Sequence, residues 1–357
     1  MYFINLAFVM ILGLLIFCTG TTSFKKKIYI VIAYTSIFLV AGLRDVSVGT
    51  DTSMYQGIFS RMPDMTFGTL FSSRMEIGYT LINKILSIFT GQPQAITLLS
   101  SAIIVFGFAI FVYRNSNNVT VSTFLFLTLF FFAASINTER QFIAVMLVCN
   151  SFYYLKNAQI KAFIILILLA SQFHISSIIF LPILALRRVK PNTFNFILIG
   201  VTSIFLGAIL MYSNYIIMDL LGQYQVYIGT RFFENKAVYG TMLIWICQLL
   251  LACTSVYFLA QNKYKLVKGE REELFYLSLF MVFSVVMGLI STKLFIFERM
   301  TYYFGVFMII LIPKVLKEFK KSGLLLNMFM FCLLTYYYYY MLNSGTEGIV
   351  PYKFFFG

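Results

Sequence analysis

The sequence predicts an all-α, polytopic integral membrane protein with about 11–13 transmembrane helices, broken half-helices included. Of its 357 residues, 60% are hydrophobic and only 11% are charged, whereas a soluble domain carries about 25% charged residues. The mean hydropathy is +0.87. Apolar runs long enough to cross a bilayer recur from one end of the chain to the other. We therefore expect a single polytopic domain over residues 1–357.

The net charge of +14 does not indicate nucleic-acid binding, because the lysines stand in short clusters between apolar runs. The positive-inside rule expects them there, so membrane lipids are the expected partners of these cations. The N-terminus lacks a basic segment and a cleavage site, which predicts a retained first span. The cysteines have no metal-binding or CxxC spacing, and buried free thiols are expected. They are Cys18, Cys149, Cys247, Cys253 and Cys332.

Most of the membrane spans can be assigned directly from hydropathy. They cover about 1–19, 28–43, 95–113, 119–136, 141–155, 194–212, 238–260, 273–291, 299–316 and 323–342. Two segments leave the path of the chain open. Glu76–Gly91 is short and polar for a span. Ile160–Lys190 is either one long helix or two half-helices that meet near His174.

The basic residues favour one of these paths. If Glu76–Gly91 does not cross and Ile160–Lys190 is broken at His174, every basic cluster falls on one side, as the positive-inside rule requires. That side holds Lys25–Lys27, Arg114, Lys156, Lys161, Arg187–Lys190, Lys263–Arg271 and Lys314–Lys321. Each half-helix would measure about 18 Å, against a hydrocarbon core of about 30 Å. We therefore expect His174 at the floor of an outward-facing cavity.

On this path the outward side is rich in arginine. Membrane topology explains basic residues only on the opposite side, so these arginines need another explanation. Arginine binds phosphate and carboxylate groups through its planar fork. The outward charges are Arg44, Asp45, Asp51, Arg61, Arg74, Glu76, Glu139, Arg140, His174, Arg231, Glu234, Glu298 and Arg299. Two long outward segments, at about 44–94 and 213–237, would suit a large substrate.

Charges recur at predicted span ends, as Arg44–Asp45, Glu139–Arg140 and Glu298–Arg299. Such charges are either functional or structural ion pairs that hold helix ends together. His174 is the only histidine, so it cannot build a metal site with other histidines, but it suits a proton carrier. The chain has no nucleotide-binding glycine motif and no GxSxG or HExxH motif. We expect no metal and no cofactor.

Several stretches together resemble the EpsG-like branch of the Wzy-type polysaccharide polymerases. They are "GLRDVSVGTDTSMY", "EIGYTLINKIL", "ERQFIAVMLVCNSFYYL", "LLASQFHISSIIFLPI" and "FERMTYYF", which span about residues 40–305 in the order of the family. The "INTER" lead-in departs from the charge pattern expected before Arg140.

The resemblance implies a GT-C-like multi-pass glycosyltransferase in the bacterial cytoplasmic (inner) membrane. Its substrates would be undecaprenyl-diphosphate-linked oligosaccharides, polymerised at the outer face into O-antigen, capsule or exopolysaccharide. A flippase and a chain-length regulator would be its partners. By the positions that match the family motifs, the resemblance implies these site residues: Arg44, Gly49, Asp51, Tyr55, Glu76, Arg140, Gln141, His174, Ser176, Arg299 and Tyr303. Glu139, Arg231 and Glu298 join them as outward charges.

Such a transfer needs a stabilised diphosphate leaving group and a base for the acceptor hydroxyl. We assign Arg140 and Arg299 to the diphosphate, with Arg44 positioning Asp51 or the acceptor. His174 is the first candidate for the base and Asp51 the second. A lipid-linked oligosaccharide flippase or transporter is an alternative. Such a protein is expected to have buried charges accessible from both faces and an internal repeat, whereas here the charges lie on one side and no repeat is evident. A glycan ligase or membrane acyltransferase could use the same cavity.

Overall fold

A computed structural model describes residues 1–66, 68, 75–212, 239–261, 268–293, 295–319 and 323–356. Their regular structure is helical, apart from one isolated antiparallel bridge between Arg44 and Phe354. Among these residues, four helices are long and apolar enough to cross a membrane, and six if two bent pairs are each one span. The multi-pass all-α class is thus confirmed, whereas the expected total of about 11–13 helices stays a prediction.

The chain divides into two compact units, Met1–Leu181 with Leu316–Gly357, and Pro182–Val315. The first unit contains the helices α1 Tyr2–Phe17, α2 Ser23–Gly42, α3 Thr52–Ser60, α4 Ile77–Phe89, α5 Gln94–Asn115, α6 Val119–Thr128, α7 Phe131–Asn137, α8 Glu139–Lys156 and α9 Ile160–Ser171. The 3-10 helix η1, Ile175–Arg188, crosses the boundary between the units.

In the second unit lie α10 Thr193–Tyr212, α11 Tyr239–Ala260, α12 Lys268–Ser291, η2 Phe295–Met300 and α13 Thr301–Gly305. Helix α14, Met308–Glu318, leads back to the first unit, where α15 Gly323–Asn343 and η3 Thr346–Gly348 follow. Glycines let the helices of the second unit approach closely: a Cβ on Gly288 of α12 would lie 2.4 Å from the Trp245 ring.

Two of the predicted spans are not straight. Residues 119–136 were expected to form one helix, but α6 and α7 meet at an angle of 53°. Phe130 lies at the break with a φ of +67°, a left-handed conformation that ends the helix. The second break, of 43°, separates Phe297–Gly305 from Met308–Glu318 inside the predicted span 299–316. Hydropathy does not reveal either break because each bent pair is apolar enough as a whole to pass for one span.

The break expected near His174 is present. Helix α9 ends at Ser171, and the chain resumes as η1 at Ile175. The rings of Phe163 in α9 and Phe180 in η1 lie 6.2 Å apart, although they stand on opposite sides of the break. That contact requires the first part of η1 to run back along α9. The hairpin favoured by the distribution of charge therefore exists.

The cysteines differ from expectation. Only Cys149 is buried, while the other four thiols are exposed. A membrane helix is apolar on its lipid-facing side as well as on its packed side, so the sequence did not distinguish the two environments. All five cysteines are free thiols, as predicted.

Candidate functional site

The charged groups of the first unit are divided between its two ends. Helices α2 and α5 are antiparallel, since Gly42 at the end of α2 packs on Leu98 near the start of α5. The opposite ends carry Lys27 and Arg114, which line one groove. Arg114 also stacks over Tyr153, near the end of α8, at 5.0 Å from the ring centroid. Lys27, Arg114 and the end of α8 with Lys156 therefore lie at one end of this unit, and the loop after α2 lies at the other.

Arg44 and Glu139 form a buried ion pair at the loop end. Nη2 of Arg44 lies 2.6 Å from Oε1 of Glu139, and the two side chains are 1% and 2% exposed. Arg44 follows α2, while Glu139 is the first residue of α8. Their pairing joins two elements that are distant in sequence, and it excludes water from both charges.

Every N–H group of Arg44 has an acceptor. Its Nε–H donates to Thr52 Oγ1 at 3.3 Å, and Nη1 donates to Ser101 Oγ at 3.1 Å and to the Ala41 carbonyl. Its Nη2 donates to the Ile136 carbonyl at 3.2 Å and to Glu139. A guanidinium has five N–H donors, so Arg44 has no donor left for a substrate.

Arg140 pairs with a different carboxylate. Its Nη1 lies 2.6 Å from Oε2 of Glu76, and the two side chains are 24% and 21% exposed. Its Nε is buried without a partner among the described residues. The Arg140 side chain thus differs from that of Arg44 because part of it reaches solvent.

Two tyrosines connect these ion pairs. Tyr79 donates a long hydrogen bond of 3.5 Å from its hydroxyl to Oε2 of Glu139. Its ring packs edge-on against Tyr55 at 5.6 Å. The Tyr55 hydroxyl interacts with the Arg140 guanidinium, and burial raises the pKa of Tyr55 to about 12 although Arg140 opposes this. Tyr55 is therefore a neutral hydroxyl at physiological pH, and it is buried beside Arg140.

His174 lies in a segment held against the start of α4. The Gly78 N–H, two residues after Glu76, donates to the carbonyl of Gln172 at 2.8 Å. A Cβ on Gly78 would lie 2.6 Å from that carbonyl oxygen, so glycine permits the approach. His174 is half-buried, and its Nδ1 lies 2.6 Å from Ser176 Oγ. The segment that carries the histidine and the segment that carries Glu76 are thus in direct contact.

Asp51 and Gly49 lie in the loop between α2 and α3. Gly49 adopts a φ of +94°, and Asp51, partly exposed, stands at the N-cap position of α3 without a capping hydrogen bond. Asp45 is held by Ser47, whose hydroxyl and amide donate to its carboxylate and lower its pKa. Asp45 is therefore a turn-stabilising carboxylate rather than a base.

The C-terminal segment 346–356 packs against this loop. The Asp45 N–H donates to Lys353 O at 2.9 Å, and the Gly49 N–H donates to Gly348 O at 2.9 Å. Phe355 N–H donates in turn to Leu43 O at 3.0 Å. Neither this segment nor Tyr79 was singled out from the sequence. Tyr79 lies inside the "EIGYTLINKIL" stretch, so the family resemblance could have identified it as a site residue. The C-terminal segment carries no motif.

The remaining candidates lie elsewhere. Gln141 is buried in α8 beside Arg140. Glu298, Arg299 and Tyr303 belong to the second unit, where Arg299 is exposed and Tyr303 is buried. Arg231, with the whole segment 213–237, lies outside the described residues. Within the described part of the chain, no three His, Cys, Asp or Glu side chains are grouped so as to hold a metal ion.

Comparison with known proteins gives one match. The family model described as "EpsG family" matches residues 27–354, which is nearly the whole chain. No curated protein matches the sequence. No solved structure matches it either.

Proposed function

Because this chain belongs to the EpsG family, a family of Wzy-like polysaccharide polymerases, we propose that it polymerises lipid-linked oligosaccharide repeat units. The proposed donor is a growing glycan on undecaprenyl diphosphate, and the proposed acceptor is a hydroxyl of the next lipid-linked unit. The reaction takes place at the outer face of the cytoplasmic membrane. The match supports a membrane polysaccharide polymerase, and the substrate and the face of the membrane are our inference.

The state of Arg140 carries this proposal. Transfer breaks the bond between the anomeric carbon and the diphosphate, so negative charge develops on the departing oxygen. A guanidinium that is partly exposed to solvent can bind that charge. Arg44 cannot, since all its donors are occupied within the protein. We therefore assign Arg140 to the diphosphate and Arg44 to the framework behind it.

His174 is the proposed base. The acceptor hydroxyl loses its proton as the new glycosidic bond forms, and a neutral imidazole can receive that proton. If Nδ1–H donates to Ser176 Oγ, the basic lone pair lies on Nε2. Asp51 is the second candidate, because it is partly exposed at the start of α3, the helix that carries Tyr55. We also propose that Arg299 binds the diphosphate, and the variant Arg299→Gln tests this separately.

The test uses purified protein with a synthetic lipid-diphosphate-linked repeat unit. Wild-type protein should produce a ladder of longer lipid-linked glycans. Replacing an oxyanion-stabilising donor lowers kcat by about 10²–10³-fold, and this loss is expected for Arg140→Gln. His174→Gln and Arg299→Gln are assayed beside it.

Arg61→Gln is the matched control, because Arg61 is an exposed arginine just after α3. It should leave the ladder unchanged. If the wild-type protein moves the substrate across vesicles without lengthening it, the polymerase proposal is wrong. If Arg140→Gln and His174→Gln both keep the full ladder, the assignment of residues is wrong.

A further inference from the structure

We propose that the groove between α2 and α5 binds one anionic phospholipid, with its phosphate at Lys27 and Arg114 and an acyl chain along the groove. This site lies at the end of the first unit opposite to Arg140. The groove encloses about 490 Å³ and is lined almost entirely by apolar atoms, except at the end where these two cations lie. The proposal is independent of the enzymatic function.

The local electrostatics call for an anion at this end. Lys25, Lys26 and Lys27 all stand near the N-terminus of α2, which has no acidic residue in its first turn. The N-terminus of a helix carries the positive end of its dipole, so cations there are disfavoured. Among the described residues, neither Lys27 nor Arg114 forms an ion pair with a carboxylate. A phosphate between them would supply the counter-charge that no described carboxylate provides there.

The apolar part of the groove has the form of an acyl-chain site. Phe106, Ile110 and Arg114 are spaced by one helical turn on α5, and Val31 lies one turn after Lys27 on α2. Residues four apart share one face of a helix, so the apolar side chains run on from the cations. From Arg114 to Phe106 the helix rises about 12 Å. That length accommodates the upper half of a phospholipid chain.

The anchor points of the headgroup are partly prearranged. Arg114 stacks over the ring of Tyr153 with its guanidinium 5.0 Å from the centroid. Tyr113, which also lines the groove, is half-buried and offers a hydroxyl. An arginine and a tyrosine beside a lysine can bind a phosphate and its ester oxygens together. Two cations with no described carboxylate partner favour a headgroup of net negative charge over one that carries its own cation, so the proposed partner is an anionic glycerophospholipid.

The experiment measures lipid retention by native mass spectrometry of the full-length protein in a neutral detergent. Phosphatidylglycerol and phosphatidylcholine with identical chains are the probes. We expect one phosphatidylglycerol to bind about ten-fold more tightly than phosphatidylcholine, which corresponds to about 1.4 kcal/mol. The variant Lys27→Gln/Arg114→Gln should lose this preference. Lys25 and Lys26 remain in it to maintain the orientation of α2.

Matched controls separate a site from the general attraction of a basic surface. Lys156→Gln/Lys161→Gln removes the same charge at the same end of the unit and should keep the preference. Ile110→Trp fills the groove and should expel the lipid, whereas Ile165→Trp, at an equally apolar exposed position of α9, should not.

Three results would overturn the proposal. The first is equal retention of both lipids by wild-type protein. The second is a preference that survives both Lys27→Gln/Arg114→Gln and Ile110→Trp. The third is displacement of the bound lipid by soluble glycerol phosphate as effectively as by phosphatidylglycerol, since that would show a phosphate site without an acyl-chain site.

Discussion

Arg44 and Glu139 form an ion pair of 2.6 Å in which both side chains are almost completely shielded from solvent. Arg140, the next residue along the chain, pairs instead with Glu76. Glu139 and Arg140, which are adjacent in the sequence, thus belong to two separate ion pairs. The first pair is buried, and the side chains of the second are 24% and 21% exposed. We therefore assign a structural role to Arg44–Glu139 and a candidate catalytic role to Arg140. Mutations in the two pairs should then change the stability of the protein by different amounts.

Glu139→Gln should destabilise the protein strongly, because it leaves the Arg44 guanidinium buried without a counter-charge. Breaking a buried pair costs about 3–5 kcal/mol. Glu76→Gln removes the carboxylate of the partly exposed pair, and its expected cost is below about 3 kcal/mol because solvent screens both charges. Thermal unfolding in detergent compares the two variants. Equal losses of stability would contradict the distinction between the pairs.

Gly49→Ala should destabilise the loop that carries Asp51. The residue has a φ of +94°, and a Cβ there would lie 2.6 Å from Asn137 Oδ1. The left-handed conformation alone costs an alanine about 1–2 kcal/mol. Gly57→Ala is the control, because Gly57 lies inside α3 with no atom within 4 Å of its added Cβ. It should be neutral or stabilising, and the Tm of each variant measures the difference.

The polymerisation rate should fall on the acid side, because the proposed base must be unprotonated to accept a proton. An unperturbed histidine titrates at about pH 6.5, and an unperturbed aspartate at about 3.9. An acid limb in the histidine range that disappears in His174→Gln would support His174. Tyr55→Phe should retain this limb, since the pKa of Tyr55 is raised to about 12 by burial. An acid limb unchanged in His174→Gln would exclude His174 as the base.

Removal of the contact between Asn137 and the C-terminal segment should loosen the loop after α2. Asn137 Nδ2 donates to the Glu347 carbonyl at 2.6 Å. The same segment accepts the N–H groups of Asp45 and Gly49. Asn137→Ala should therefore accelerate hydrogen exchange at those two amides, with a loss of about 0.5–1.5 kcal/mol per hydrogen bond. Asn157→Ala, exposed at the end of α8, is the control. Equal exchange in both variants would contradict a supporting role for the segment.

The sequence identified most residues of this site but not which of them contact each other. Arg140, Glu76 and Tyr55 were all candidates, and the structure brings them into one cluster. Their pairing was not predictable, because consecutive helical residues point about 100° apart. Glu139 and Arg140 therefore face different neighbours. Tyr79 was missed because its contacts with Glu139 and Tyr55 exist only after α4 has packed.

The sequence by itself determined the membrane class and the break before His174. It also determined the separation of the lysine clusters from the candidate site in the first unit. These features follow from hydropathy and net charge, which act locally along the chain and need no knowledge of packing. Only the tertiary structure decided that Arg44 is buried with every donor occupied, while part of the Arg140 side chain reaches solvent. That outcome depends on which distant side chains exclude water from each charge, and no local pattern encodes it.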